Sequence, residues 1–142
     1  MKRFVNGIAA CATFGIAVSL GVALPSATQT AAPQAKVIEM TAKKYEYSPS
    51  EIRVKKGTRV QLKIRAIDRT HGFKIALYPE GAAEGGATGL KFDPPQENFK
   101  LTEKEERVIE FVAERAGNYP FKCSVFCGLG HSGMKGMLIV EE

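Results

Sequence analysis

From Val37 onward the chain alternates apolar and polar residues with a period of two, and no stretch sustains a helical period. The clearest run is Val60, Leu62, Ile64 and Ala66, interleaved with Arg59, Gln61, Lys63 and Arg65. Successive side chains of a strand point to opposite faces, so this run predicts a strand with one face buried. Gly57 marks the turn before it. Ile52 and Val54, behind Pro49, predict a short preceding strand, and Phe73, Ile75 and Leu77 alternate likewise. Val108 to Val112 and then Tyr119, Phe121 and Cys123 continue the series, and Met137 to Val140 closes it. Residues 80–98, rich in Gly and Ala and containing Pro94-Pro95, read as a long surface connection with room for one helical turn. About seven short strands with turn signals between them predict an all-β fold, a Greek-key β-sandwich.

At 142 residues the chain can build one hydrophobic core but not two comfortable domains. The formal charge is +5, and residues 1–27 hold Lys2, Arg3 and no acid, which leaves +3 on the remainder. So small and dispersed a surplus argues against nucleic acid or a polybasic membrane tether and reads as a solvated surface. Lys2 and Arg3 precede an apolar run, Ile8 to Leu24, then Pro25, Ser26 and Ala27, the pattern of a secretory signal over residues 1–27. Pro25 fits poorly at the upstream recognition position, so the cleavage bond stays unassigned. The same run is about long enough to span a bilayer as a retained anchor. Cys11 follows Gly7-Ile8-Ala9-Ala10, which hints at a lipoprotein box, although almost no apolar segment precedes it. All three readings place residues 37–142 outside the cytoplasm, in the periplasm or an equivalent compartment, with residues 28–36 as a small, polar, flexible tether.

The segment that carries chemistry is Cys123-Ser124-Val125-Phe126-Cys127-Gly128-Leu129-Gly130-His131-Ser132-Gly133-Met134. Two thiols, an imidazole and a thioether fall within it, and its three glycines let the backbone fold back and aim them at one point. Thiolate and thioether are soft donors and imidazole is borderline, a combination that suits copper. The other histidine of the chain, His71, stands at the end of a predicted strand, before Gly72. Each residue also has a plainer reading. Cys123 and Cys127 could close a disulfide in an oxidising compartment. Two cysteines and two histidines could hold structural zinc. Met134 alone is commonly core filler. Zinc, however, has no use for Met134, and a disulfide has none for either histidine, whereas one copper site uses them all.

The pattern Cys-x3-Cys-x3-His-x2-Met resembles the binuclear copper (CuA) loop of cytochrome c oxidase subunit II, and nitrous oxide reductase carries a similar loop. The resemblance covers roughly Val37 to Glu142 and implies a cupredoxin-like domain. By position it implies that Cys123 and Cys127 bridge two coppers and that His71 and His131 each cap one. Met134 would be a weak ligand to one copper and the backbone carbonyl of Val125 to the other. The oxidase family has Glu where Val125 stands, a change that a carbonyl ligand tolerates. The chain has no tryptophan, so the aromatic that the resemblance would suggest for electron entry is absent.

These readings make the chain an electron carrier rather than an enzyme, since both histidines are committed and no nucleophile–base–orienter set appears elsewhere. The expected partner is a redox protein such as a c-type cytochrome or a terminal oxidase or reductase, with membrane contact only through an N-terminal anchor. Two alternatives stay open. Cys127, His131, Met134 and His71 already supply a mononuclear blue-copper set, and the same ligands would serve a protein that stores or delivers copper.

Overall fold

In the computed structural model, which describes residues 34–83 and 85–142, the alternating segments pair into two five-stranded sheets. The strands are β1 (Lys36–Lys43), β2 (Glu46–Ser48), β3 (Glu51–Lys55), β4 (Arg59–Ala66), β5 (His71–Ile75), β6 (Leu90–Lys91), β7 (Asn98–Leu101), β8 (Glu106–Ala113), β9 (Gly117–Lys122) and β10 (Lys135–Glu141). One sheet runs β2-β1-β4-β8-β6 and the other β3-β10-β9-β5-β7. The pairs β1–β4 and β3–β10 are parallel and the rest antiparallel. The expected leader, residues 1–27, lies outside the described residues, as does the tether up to residue 33. Among the described residues no helix is long and apolar enough to cross a membrane.

The period-two pattern does what it predicts. Val60, Leu62, Ile64 and Ala66 are all buried, while Arg59 and Arg65 face water. Opposite them, Ile109, Phe111 and Ala113 of β8 turn inward in the register Leu62↔Ile109 and Val60↔Phe111. The second sheet adds Phe73, Ile75, Tyr119, Phe121, Leu138 and Val140. The Tyr119 hydroxyl donates to the Arg115 carbonyl at 2.7 Å, tying the start of β9 to the turn before it, an arrangement like the tyrosine corner of other β-sandwiches.

Ten strands form among the described residues, against the seven or so expected. The additional ones, β2, β6 and β7, have two to four residues each, too few to display a period in sequence, and they exist through pairing with longer neighbours. Residues 80–98 hold β6, paired to β8 at Leu90↔Ala113, and no helical turn among the described residues. The helical turn of the described residues is instead a 3-10 turn, His131–Gly133. Leu77 falls beyond the end of β5 but still packs, half-buried, against the core.

Candidate metal centre

Three connections meet at one end of the sandwich: the β1–β2 turn, the β4–β5 loop and the β9–β10 loop. β9 ends at Lys122 and β10 starts at Lys135, so the segment 123–134 is the whole connection between two paired strands. The Cys123 N–H donates to the Met134 carbonyl at 3.0 Å, which closes the neck of this loop and sets its two terminal residues side by side. Within it, the His131 N–H donates to the Gly128 carbonyl at 3.0 Å, and Gly128 adopts φ 129°, a conformation that favours glycine. β5 approaches from the side. A Cβ on Gly72 would lie 2.8 Å from the Val125 nitrogen and 2.9 Å from the Ser124 nitrogen, so only a bare backbone lets His71 come this close to the loop.

The result brings all six residues expected from sequence to one place. Donor atoms of His71, Cys123 and Cys127 lie within 4.8 Å of one another, and all three residues are buried. The two Sγ atoms are 3.9 Å apart and unbonded, so the disulfide reading does not describe this structure. Cys127 Sγ is 3.8 Å from His131 Nδ1 and 4.0 Å from Met134 Sδ. Cys123 Sγ lies 3.1 Å from the Val125 carbonyl oxygen. Met134 is fully buried, while His131 is half-exposed at the surface.

Four further residues shape the site, and sequence reasoning did not single them out. Asp68 Oδ1 sits 2.8 Å from His71 Nε2, and its other oxygen accepts from the Lys44 N–H at 2.9 Å. Burial pushes the Asp68 carboxyl up, but the hydrogen bonds from His71 and the Lys44 N–H outweigh it and hold the group below its usual range. With Nε2 engaged by the carboxylate, Nδ1 of His71 is the ring nitrogen left for another partner, and it is buried with no hydrogen-bond partner. Arg69 Nη1 donates to the Cys127 carbonyl at 2.7 Å. The buried Tyr47 hydroxyl donates to the Gly72 carbonyl and packs edge-on against Phe73 and Phe121, fixing β5 behind the loop. Tyr45 lies across Gly128 and Gly130, where a Cβ on Gly128 would come within 2.6 Å of its hydroxyl oxygen. An aromatic ring therefore does cover the loop, although the chain has no tryptophan.

The donor set fits copper on the structure's own terms. An orphaned, buried imidazole nitrogen has no role in an apolar core; here it belongs to a ring whose donor atom lies within 4.8 Å of two thiols. Burial pushes the Cys127 thiol up, and the neighbouring Cys123 adds to this, whereas Arg69 and a backbone hydrogen bond pull the other way. The Tyr47 phenol is raised as well, chiefly by burial and then by Cys123. Two sulfurs in contact, a third soft sulfur and two imidazoles make a site for a soft or borderline ion.

A model of the cupredoxin-like domain matches residues 16–140, and the chain belongs to that family. It is 28% identical over 110 residues to cytochrome c oxidase subunit 2 of Thermus thermophilus, covering 78% of this chain and 69% of that protein. Against a second such subunit from the same organism it spans about half the length, 55%. It is also 28% identical over 108 residues to nitrous-oxide reductase of Ralstonia nicotianae, covering 73% of this chain but only 14% of that protein. Among solved structures, auracyanin A, a blue copper protein of Chloroflexus aurantiacus, superposes with a TM-score of 0.56 at 17% identity, covering 76% of this chain and 100% of that one. The periplasmic domain of cytochrome oxidase subunit II from Bradyrhizobium japonicum gives 0.56 at 15% identity, covering 78% and 87%. These two likenesses concern the fold alone.

Proposed function

We propose that this chain is an extracytoplasmic electron-transfer protein with a binuclear copper centre of the CuA type, held by His71, Cys123, Cys127, His131, Met134 and the Val125 carbonyl. The observation that carries the reading is the second thiol. Cys123 is buried, 3.9 Å from Cys127 and unbonded to it, with the Val125 carbonyl at its sulfur. A mononuclear site has no need of that arrangement. Two shared thiolates would spread a single-electron change over many bonds, and a β-scaffold with a dry site limits rearrangement around them.

The reading extends to location and partner. The signal-like residues 1–27, the tether 28–36 and the domain 37–142 fit export, by cleavage or by a retained anchor. The relatives that are oxidase subunits favour a terminal oxidase or a c-type cytochrome as the redox partner. At the loop's tip Phe126 is 76% exposed and Leu129 97% exposed; apolar groups presented together at a surface mark contact sites, and these lie beside His131. Electrons would pass there, and the chain itself would carry out no bond chemistry.

The blue-copper reading has its own support, because Cys127 alone touches both His131 and Met134. Metal analysis and electron paramagnetic resonance of copper-loaded protein separate the two. Two coppers per chain with one unpaired electron shared between them is the expected result. One copper with a mononuclear spectrum overturns the binuclear reading.

A further inference from the structure

Arg69 is placed unlike any other cation of the described chain. It lies in the β4–β5 loop two residues before His71, half-buried, with Nη1 on the Cys127 carbonyl. Its Nε is buried without a hydrogen-bond partner. Among the described residues it forms no ion pair. The adjacent carboxylate, Asp68, is turned to His71 and the Lys44 N–H instead.

Taking a guanidinium partly out of water without a carboxylate is unfavourable. A neutral donor would serve as well if the Cys127 carbonyl were its only purpose. We propose that Arg69 is a positioning residue whose charge raises the reduction potential of the centre at Cys123 and Cys127 while its Nη1 holds the Cys127 segment. This rests on the copper electron-transfer reading above. Gaining one electron makes a site one unit more negative whatever its resting charge. A cation fixed beside the site therefore favours the reduced form, and partial burial keeps solvent from screening it fully.

The test compares Arg69→Gln, which keeps a planar donor and loses the charge, with Arg69→Lys, which keeps the charge and loses the fork. Copper-loaded proteins are equilibrated with one redox mediator and the ratio of reduced to oxidised centre is read optically. Arg69→Gln should lower that ratio roughly tenfold, and Arg69→Lys should stay within about threefold of the parent, as expected for one partly screened charge. Unfolding midpoints of the metal-free variants should agree with each other, which makes the redox difference one of charge rather than folding. An unchanged ratio in Arg69→Gln, or equal shifts in both variants, overturns the proposal. Parent protein that takes up no copper overturns the underlying reading and this one with it.

Discussion

Asp68 holds His71 by its Nε2 at 2.8 Å and leaves Nδ1 buried and unpartnered, in a ring whose donor atom lies within 4.8 Å of both thiols. The same carboxylate ties the β1–β2 turn into the site through the Lys44 N–H. A carboxylate behind an imidazole fixes its tautomer and orientation and makes it a better donor. On the proposed reading, His71 is thus prepared for copper before the ion arrives.

Asp68→Ala should therefore weaken copper binding although it removes no donor atom. The loss of an outer partner of this kind is worth about 10–100-fold in metal affinity. Competition against a chelator of known affinity reads this directly. An affinity within about twofold of the parent would mean that the His71 ring is held by its packing alone, without the carboxylate's help.

Gly72→Ala probes the close approach of β5 to the loop. The added methyl would press on backbone nitrogens of Val125 and Ser124 at 2.8 and 2.9 Å, and backbone gives way less readily than the end of a side chain. Overpacking of this sort costs about 1–3 kcal/mol. Chemical denaturation of the metal-free protein should show that loss, and copper should be retained less well because the Val125 carbonyl is displaced with its neighbours. Unchanged stability would show that the loop moves aside freely.

The metal-free protein should lose stability in alkali. Burial, and then the neighbouring Cys123, raise the Cys127 thiol; the Tyr47 phenol is raised by burial first. Above about pH 8.5, where an ordinary thiol ionises, the unfolded chain releases protons that the native state still holds. The native state then binds more protons than the unfolded one, so stability falls as pH rises. Unfolding midpoints measured from about pH 7 to 10 should decline, with Cys127→Ala showing a shallower slope. Copper affinity should run the other way and rise with pH, because the ligands must lose their protons to bind.

Much of this was legible in sequence because it is periodic or local. The alternation at Val60–Ala66 announces a half-buried strand, and the spacing of Cys123, Cys127, His131 and Met134 places four donors on one glycine-rich loop. His71 could be added because it is a histidine at a predicted strand end. Asp68, Arg69 and Tyr45 could not. They act from loops, where no period marks a side chain's direction, and their roles depend on contacts far along the chain: Arg69 meets Cys127, 58 positions on, and Tyr45 lies against Gly128 and Gly130. β2, β6 and β7 escaped for a related reason, since a strand of two to four residues is defined by its partner and not by its own pattern.

The two cysteines should not be equivalent. Cys127 Sγ touches Cys123 Sγ, His131 Nδ1 and Met134 Sδ, whereas Cys123 Sγ reaches Cys127, the Val125 carbonyl and the Gly72 N–H. Cys123→Ser therefore leaves Cys127 at the middle of a complete mononuclear set with His71, His131 and Met134. That variant should keep one copper and show an intense thiolate-to-copper absorption. Cys127→Ser removes the sulfur that the others share, so copper should bind weakly or with altered geometry. Met134→Leu should be milder than either. Leu fills nearly the same buried volume, and a weak axial thioether tunes a copper potential more than it holds the ion. Metal content and optical spectra of the three variants decide the matter. Complete loss of copper in both cysteine variants would contradict the central place of Cys127, and a native spectrum in Cys123→Ser would show that the second thiol is no ligand.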